Sequence, residues 1–381
     1  MHILYIMGQD SGGLPHYTAE LANKVSRQEE VTLLKPDDTS ADDILLDSVN
    51  VVNAFEQTSI SMENIFDINI NLRENVKGLL SFRNIKLVNE IDPDIVHDPT
   101  DEFPHISAFA YLYKIYQNRP YVVTCHEVKH GGSSGILKIA DMAYYLSPDF
   151  PKEAAVVHSE SQKEMLVDQD RNITSVKVIP HAVYSFFKKL DHKSPSEKEN
   201  HALFFGSLIP PKGIEYLIEA VPHIIDSIPN FSLTIAGSGS IPDGCDDLIR
   251  KYDNIEVRNE FIPNNEVGEL FNEAQIVVLP YRKGWQTGHS GSLSTAFAFG
   301  KPVVTTSVGD FPRLVEESGA GVAVEPENPE AIADGIVNIL RNNQRRKNMA
   351  AASQQMADKL SWENIASQHI ELYKEIVTND E

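Results

Sequence analysis

Short apolar, β-branched runs punctuate the chain, and each is followed by a longer segment with helical spacing. In the first half the runs are HILYIM (2–7), EVTLL (30–34), VNVVNAF (49–55), DIVHD (94–98), YVVTC (121–125), AAVVHS (154–159) and KVIP (177–180). The second half repeats the scheme with HALFFG (201–206), FSLTIAG (231–237), IEVRN (255–259), QIVVLP (275–280), KPVVTT (301–306) and GVAVEP (321–326). Runs that are apolar throughout suit strands buried on both faces, which means parallel sheets covered by helices. Helical periods fill the gaps, as in KGIEYLIEAVPHIID (212–226) and NNEVGELFNEA (264–274). Such alternation predicts a doubly wound α/β fold in two Rossmann-like halves.

Between the halves, FFKKLDHKSPSEKENH (186–201) is polar and charged, holds one proline and lacks an apolar period. Residues 186–200 are therefore expected to be a linker between a domain over 1–185 and a second over 201–358. The chain closes on SWENIASQHIELYKEIV (361–377), a predicted helix with Ser361 as N-cap and Glu363 in its first turn. Two sheets whose strand C-termini face each other form a cleft, and open α/β sheets bind ligands at that edge.

Composition narrows the class. A chain of 381 residues is long for one core, which agrees with two domains. The net charge of −22 repels nucleic acid and anionic membrane surfaces, so neither is an expected electrostatic partner. Cys125 and Cys245 lie far apart and form no disulfide framework or Cys-rich metal motif. The N-terminal MHILYIMGQD is too short and too uncharged at its start for a signal peptide, and no run reaches the length of a membrane span. A reducing cytoplasm is the expected location.

The candidate chemistry sits at predicted strand ends. In FFGSLIPPKGIEYL (204–217), Gly206 ends a strand, Ser207 follows it, and Lys212 precedes a helix. A lysine there is unfavourable against the helix dipole unless an anion lies nearby; a solvated first-turn lysine is the alternative. Gly237 ends the next strand within IAGSGS, where a plain turn is the simpler reading. Ser290-Gly291-Ser292 opens a helix after a loop containing Thr287 and Gly288, which leaves main-chain N–H groups for an anion or for a serine cap. Gly12-Gly13 follows the first strand without making a G-x-G-x-x-G dinucleotide motif. His126 ends the YVVTC strand, where it can meet a sugar hydroxyl or serve a loop, and His97 is expected to be structural. No metal-binding or cofactor motif is visible, so none is expected.

In this order, Gly12-Gly13, DIVHD, VVTCHE, KVIPHAV, FFGSLIPPKG, LTIAGSG and AFAFGKPVVTTSVGDFPRLVEE resemble the GT-B glycosyltransferases of group 1, glycosyltransferase family 4. The resemblance spans nearly the whole chain. It implies two facing Rossmann-like domains, with the terminal segment 359–381 packing back on the first. It also implies metal-free transfer of a sugar from a nucleotide-diphosphate-sugar donor to a glycan, lipid-linked or small-molecule acceptor, with retention at the anomeric carbon. Peripheral membrane contact would follow from a lipid-linked acceptor.

By that likeness, Lys212 binds the diphosphate, and Ser290 and Gly291 hold phosphates through their amides. Gly12 and Gly13 line the reacting sugar and His126 touches it; Gly206, Ser207, Gly237, Gly288 and Ser292 complete the donor site. Three departures stand out. Ser207 replaces a common arginine, Thr287 and Thr295 replace paired glutamates, and Arg313 replaces an acidic residue. Threonine can hydrogen-bond but adds no negative charge to an oxocarbenium-like transition state. A degenerate, non-catalytic GT-B subunit and a nucleotide-sugar 2-epimerase are therefore the competing functions.

Overall fold

Every apolar run singled out above forms a strand, and every pairing between these strands is parallel. The computed structural model describes residues 1–56, 72–100, 103–128, 148–190, 195–242, 244–284 and 290–379. The chain divides into two units, Met1–His181 with Trp362–Glu381, and Ala182–Ser361.

In the first unit the strands are β1 (His2–Ile6), β2 (Glu30–Pro36), β3 (Asn50–Phe55), β4 (Ile95–Asp98), β5 (Tyr121–Thr124), β6 (Lys152–Val157) and β7 (Ile173–Val178), in the order β3-β2-β1-β4-β5-β6-β7. Ile3 of β1 pairs with Val31 on one side and Ile95 on the other. The second unit has β8 (His201–Phe205), β9 (Ser232–Ala236), β10 (Ile255–Arg258), β11 (Ile276–Leu279), β12 (Val303–Thr306) and β13 (Gly321–Val324), in the order β10-β9-β8-β11-β12-β13. Each order reverses beside its first strand, at β1/β4 and at β8/β11. Connections leave in opposite directions there and open a crevice at the strand C-termini.

The covering helices follow from the helical spacing. Helix Ile214–Ser227 buries Ile214, Leu217, Ile218, Val221 and Ile224 at intervals of three and four. It packs beside helix Pro329–Leu340, which buries Ile332, Ile336 and Ile339. The β7 strand begins four residues before KVIP, because an edge strand with half-buried faces tolerates Thr174 and Ser175.

The stretch read as a linker belongs to the second unit. Ser185–Lys188 forms a 3₁₀ turn that buries Phe186 and Phe187, and Glu197 pairs with Lys301 at 3.1 Å and Arg346 at 2.7 Å. Two adjacent phenylalanines outweighed the polar residues around them.

Helix Trp362–Asn379 completes the first unit through polar contacts in its core. Tyr373 Oη lies 2.6 Å from His97 Nδ1 and 3.1 Å from Tyr5 Oη, while His97 Nε2 lies 2.8 Å from Thr124 Oγ1. Tyr17 Oη meets His369 Nε2 at 3.4 Å, its ring stands against Trp362, and Lys24 pairs with Glu363. His97 is thus structural, as its sequence position led us to expect. Among the described residues no helix is long and apolar enough to cross a membrane.

Two outcomes follow from this buried network. Tyr373→Phe removes the hydroxyl shared by His97 and Tyr5 and should cost about 2 kcal/mol of stability, read from the urea midpoint at pH 7.5. Burial holds His369 down to about 4 and His97 well below its ordinary value. Unfolding restores ordinary histidines near 6.5, so the unfolded chain binds the extra protons. Stability is complete above about pH 6.5 and is lost as pH falls toward 4, by roughly 1 kcal/mol per pH unit for each histidine. Melting temperatures between pH 7.5 and 4.5 should show this slope, and His369→Gln should flatten it.

Candidate functional site

The crevice of the second sheet is shaped by main-chain approach at glycines. Gly237, at φ 148°, ends β9 so close to β8 that a Cβ there would lie 1.9 Å from the Gly206 carbonyl oxygen. Gly213, at φ 64°, caps helix Ile214–Ser227, and a Cβ there would lie 2.1 Å from the Pro280 carbonyl oxygen. Arg282 donates its amide to Pro211 at 2.9 Å, and its guanidinium binds Glu215. The turn after β8 is therefore locked against the segment leaving β11.

This lock sets three side chains in a row. Lys212 Nζ donates to Tyr281 Oη at 2.7 Å and sits 3.9 Å from the centre of that ring. Tyr281 Oη lies 2.8 Å from Ser290 Oγ. Ser290 caps helix Gly291–Ala298 by accepting from the Leu293 amide at 3.3 Å. Tyr281 and Ser290 are 1% and 2% exposed, so the row is built into the unit rather than draped over it. Among the described residues the amides of Gly291 and Ser292 have no acceptor, since the helix begins at Gly291.

The remaining predicted residues divide. Ser292 Oγ donates to the Phe205 carbonyl at 2.5 Å and packs on Gly206, so its hydroxyl braces β8. Gly291 faces the ring of Tyr184, where a Cβ would approach to 3.0 Å. Ser207, which follows Gly206 at the end of β8, is half-buried. Thr295 lies one turn into the helix, 1% exposed, with its hydroxyl given to the Gly291 carbonyl at 2.9 Å. Thr287 and Gly288 lie outside the described residues. The sequence reading missed Tyr281, although it follows QIVVLP directly. Its proximity to Lys212 depends on β8 and β11 being neighbours.

Gly12 and His126 lie at the strand edge of the first unit. Gly12, at φ 89°, is the N-cap of helix Gly13–Val25, and its carbonyl meets His16 Nδ1 at 2.8 Å. His126 Nε2 lies 2.9 Å from the Pro99 carbonyl, and its Nδ1 lies 3.0 Å from His158 Nε2. His158 Nδ1 meets the Ile179 carbonyl at 2.9 Å, and Tyr17 stands edge-on to His126. Burial, then the neighbouring His158 and His181, hold His126 well below its ordinary value; burial takes His158 to about 4. Both rings are neutral at pH 7, so one must turn an N–H inward and give up its carbonyl. Both nitrogens of His126 thus face a partner within the unit, Pro99 on one side and His158 on the other. Among the described residues no group of three or more His, Cys, Asp or Glu side chains is placed to hold a metal ion.

Known proteins agree with this architecture. Residues 199–342 match the family described as "Glycosyl transferases group 1". An uncharacterized glycosyltransferase of Methanocaldococcus jannaschii is 29% identical over 276 residues, covering 67% of this chain and 69% of that protein. The next curated relatives are matched over 43–48% of their own length.

Among solved structures, a sucrose-phosphate synthase from Thermosynechococcus elongatus superposes with a TM-score of 0.74 at 18% identity, over 99% of both chains. HepE from Anabaena, solved with UDP and glucose, gives 0.70 at 17% identity, over 98% of this chain and 100% of its own. With two parallel Rossmann-like sheets on the page and these matches beside them, the chain has the GT-B fold, and its residues 199–342 are similar to the group 1 glycosyltransferases.

Proposed function

We propose that the chain transfers a sugar from a nucleotide-diphosphate-sugar donor with retention at the anomeric carbon and without a metal. The second unit binds the donor, and the first takes a glycan, lipid-linked or small-molecule acceptor. One observation carries the donor reading. A lysine and two open helix amides converge at the switch point of the second sheet, where an anion suits both the dipole and the unpaired N–H groups. The relative solved with UDP and glucose supports a nucleotide sugar as the donor class.

In this reading Lys212 and the amides of Gly291 and Ser292 stabilise charge as it develops on the leaving diphosphate, which is where electrostatic help accelerates transfer. Gly206, Ser207 and Gly237 shape the strand ends beside it, and the reading also assigns Thr287 and Gly288 to the donor. The leaving diphosphate takes the acceptor proton, so no protein carboxylate is needed as base. His126 and Gly12-Gly13 are assigned to the transferred sugar. His126 is asked for contact and shape, since its neutral ring is already held by Pro99 and His158.

A second reading, a non-catalytic subunit, draws support from Thr295. Its hydroxyl is spent on its own helix, where the family resemblance implies a glutamate. Thermal shift against a panel of nucleotide sugars separates the two readings, because a donor at 100 times its Kd stabilises by about 2.7 kcal/mol. A chain that no donor shifts is the non-catalytic subunit.

Lys212→Ala should lower nucleotide release from the donor by about 100-fold, at little cost in melting temperature. Equal rates in the variant and the wild type would remove Lys212 from the diphosphate site. The product linkage, read by NMR, should keep the anomeric configuration of the donor, and the rate should survive EDTA. Inversion, or loss of activity restored by a divalent cation, would overturn the mechanism.

A further inference from the structure

We propose that Tyr281 is a positioning residue for the diphosphate: it holds the Lys212 ammonium in place and turns the Ser290 hydroxyl proton toward the ligand. The inference rests on the donor reading above and deepens it.

The direction of the hydrogen bonds follows from donor chemistry. An ammonium only donates, so Tyr281 Oη accepts from Lys212 across 2.7 Å. Ser290 Oγ lies 2.8 Å away, within reach of the phenol as a donor. Ser290 Oγ also accepts from the Leu293 amide, which fills its second lone pair. With the phenol as donor, the Ser290 proton points away from both partners. Ser290 O–H joins the Gly291 and Ser292 amides as a third donor at the helix start. The order lysine, tyrosine, serine polarises each bond in the same sense.

Tyr281 is unusually well placed to act as the fixed point. Its carbonyl accepts from Thr306 Oγ1 at 2.6 Å, and its ring packs on Phe311 at 5.0 Å. The residue before it presses on Gly213, and the residue after it bonds to Pro211. Lysine carries its charge on a flexible four-carbon stem, and ordering that stem on binding would cost affinity. A phenol fixed on several sides orders the ammonium beforehand.

Tyr281→Phe isolates the hydroxyl, because the ring against Lys212 and Phe311 remains. Calorimetry would use UDP, GDP and ADP with the corresponding monophosphates as probes, on the wild type, Tyr281→Phe, Ser290→Ala and the double variant. The diphosphate that binds the wild type best should bind Tyr281→Phe about tenfold more weakly, with a smaller loss for its monophosphate. The double variant should lose less than the product of the single losses, since one chain of bonds serves both residues.

Unchanged diphosphate affinity in Tyr281→Phe overturns the inference while leaving the donor reading intact. So does an equal loss for monophosphate and diphosphate, or strict multiplication in the double variant. A wild-type chain that binds none of the three diphosphates overturns the donor reading and this inference with it. Ser290→Ala, read alone, decides the point if Tyr281→Phe does not fold: it too should weaken the diphosphate more than the monophosphate.

Discussion

The second unit depends on a close approach of main chain to main chain, which only glycine permits. At Gly237 and Gly213 the backbone stands where a Cβ would overlap a carbonyl oxygen of a neighbouring segment. Both positions also have positive φ, so any side chain would meet strain as well as a clash. The consequence reaches the chemistry. With the turn after β8 pressed on the segment leaving β11, Lys212 falls beside Tyr281, and Tyr281 beside the cap of the next helix. The donor site we propose, built from amides and one cation, would need that registry more than any particular acid.

The first unit solves a different problem. Its last helix lies far along the sequence from the sheet it covers, and the contact is not purely apolar. Tyr5, Tyr17, Tyr373, His97 and His369 pair with one another inside the core, so most of their polar atoms find partners away from water. Such a network favours one placement of the helix over others that would bury the same apolar area but leave hydroxyls and imidazoles unmatched. It also ties that placement to uncharged histidines, since an imidazolium there would be desolvated without a carboxylate beside it.

Charge at the two scales points in opposite directions. The whole chain carries −22, yet the diphosphate we assign to it is itself an anion. Surface charges are screened over about 8 Å at physiological salt, whereas Lys212 and the open amides act at contact. In the proposed donor site, local donors in a crevice would therefore outweigh the distant acidic surface.

What the sequence determined by itself was each strand and most helices, together with the glycines, the serine cap and the lysine at the strand ends. These are local properties: a run such as QIVVLP or HALFFG is apolar throughout because both its faces are covered, wherever it sits in a sheet. Signals weakened where burial was partial, so β7 was seen only from Lys177, and the polar residues around Phe186 and Phe187 hid an ordered turn. Tertiary structure alone decided the strand order, and with it which strand ends are neighbours. Tyr281 reads as one more buried aromatic until β11 is set beside β8. Likewise Ser292, Thr295 and His126 look available in the sequence, yet their polar side-chain atoms are taken by Phe205, Gly291, Pro99 and His158. A hydrogen bond between residues distant in sequence leaves no periodic trace along the chain; only the packed fold brings donor and acceptor within reach.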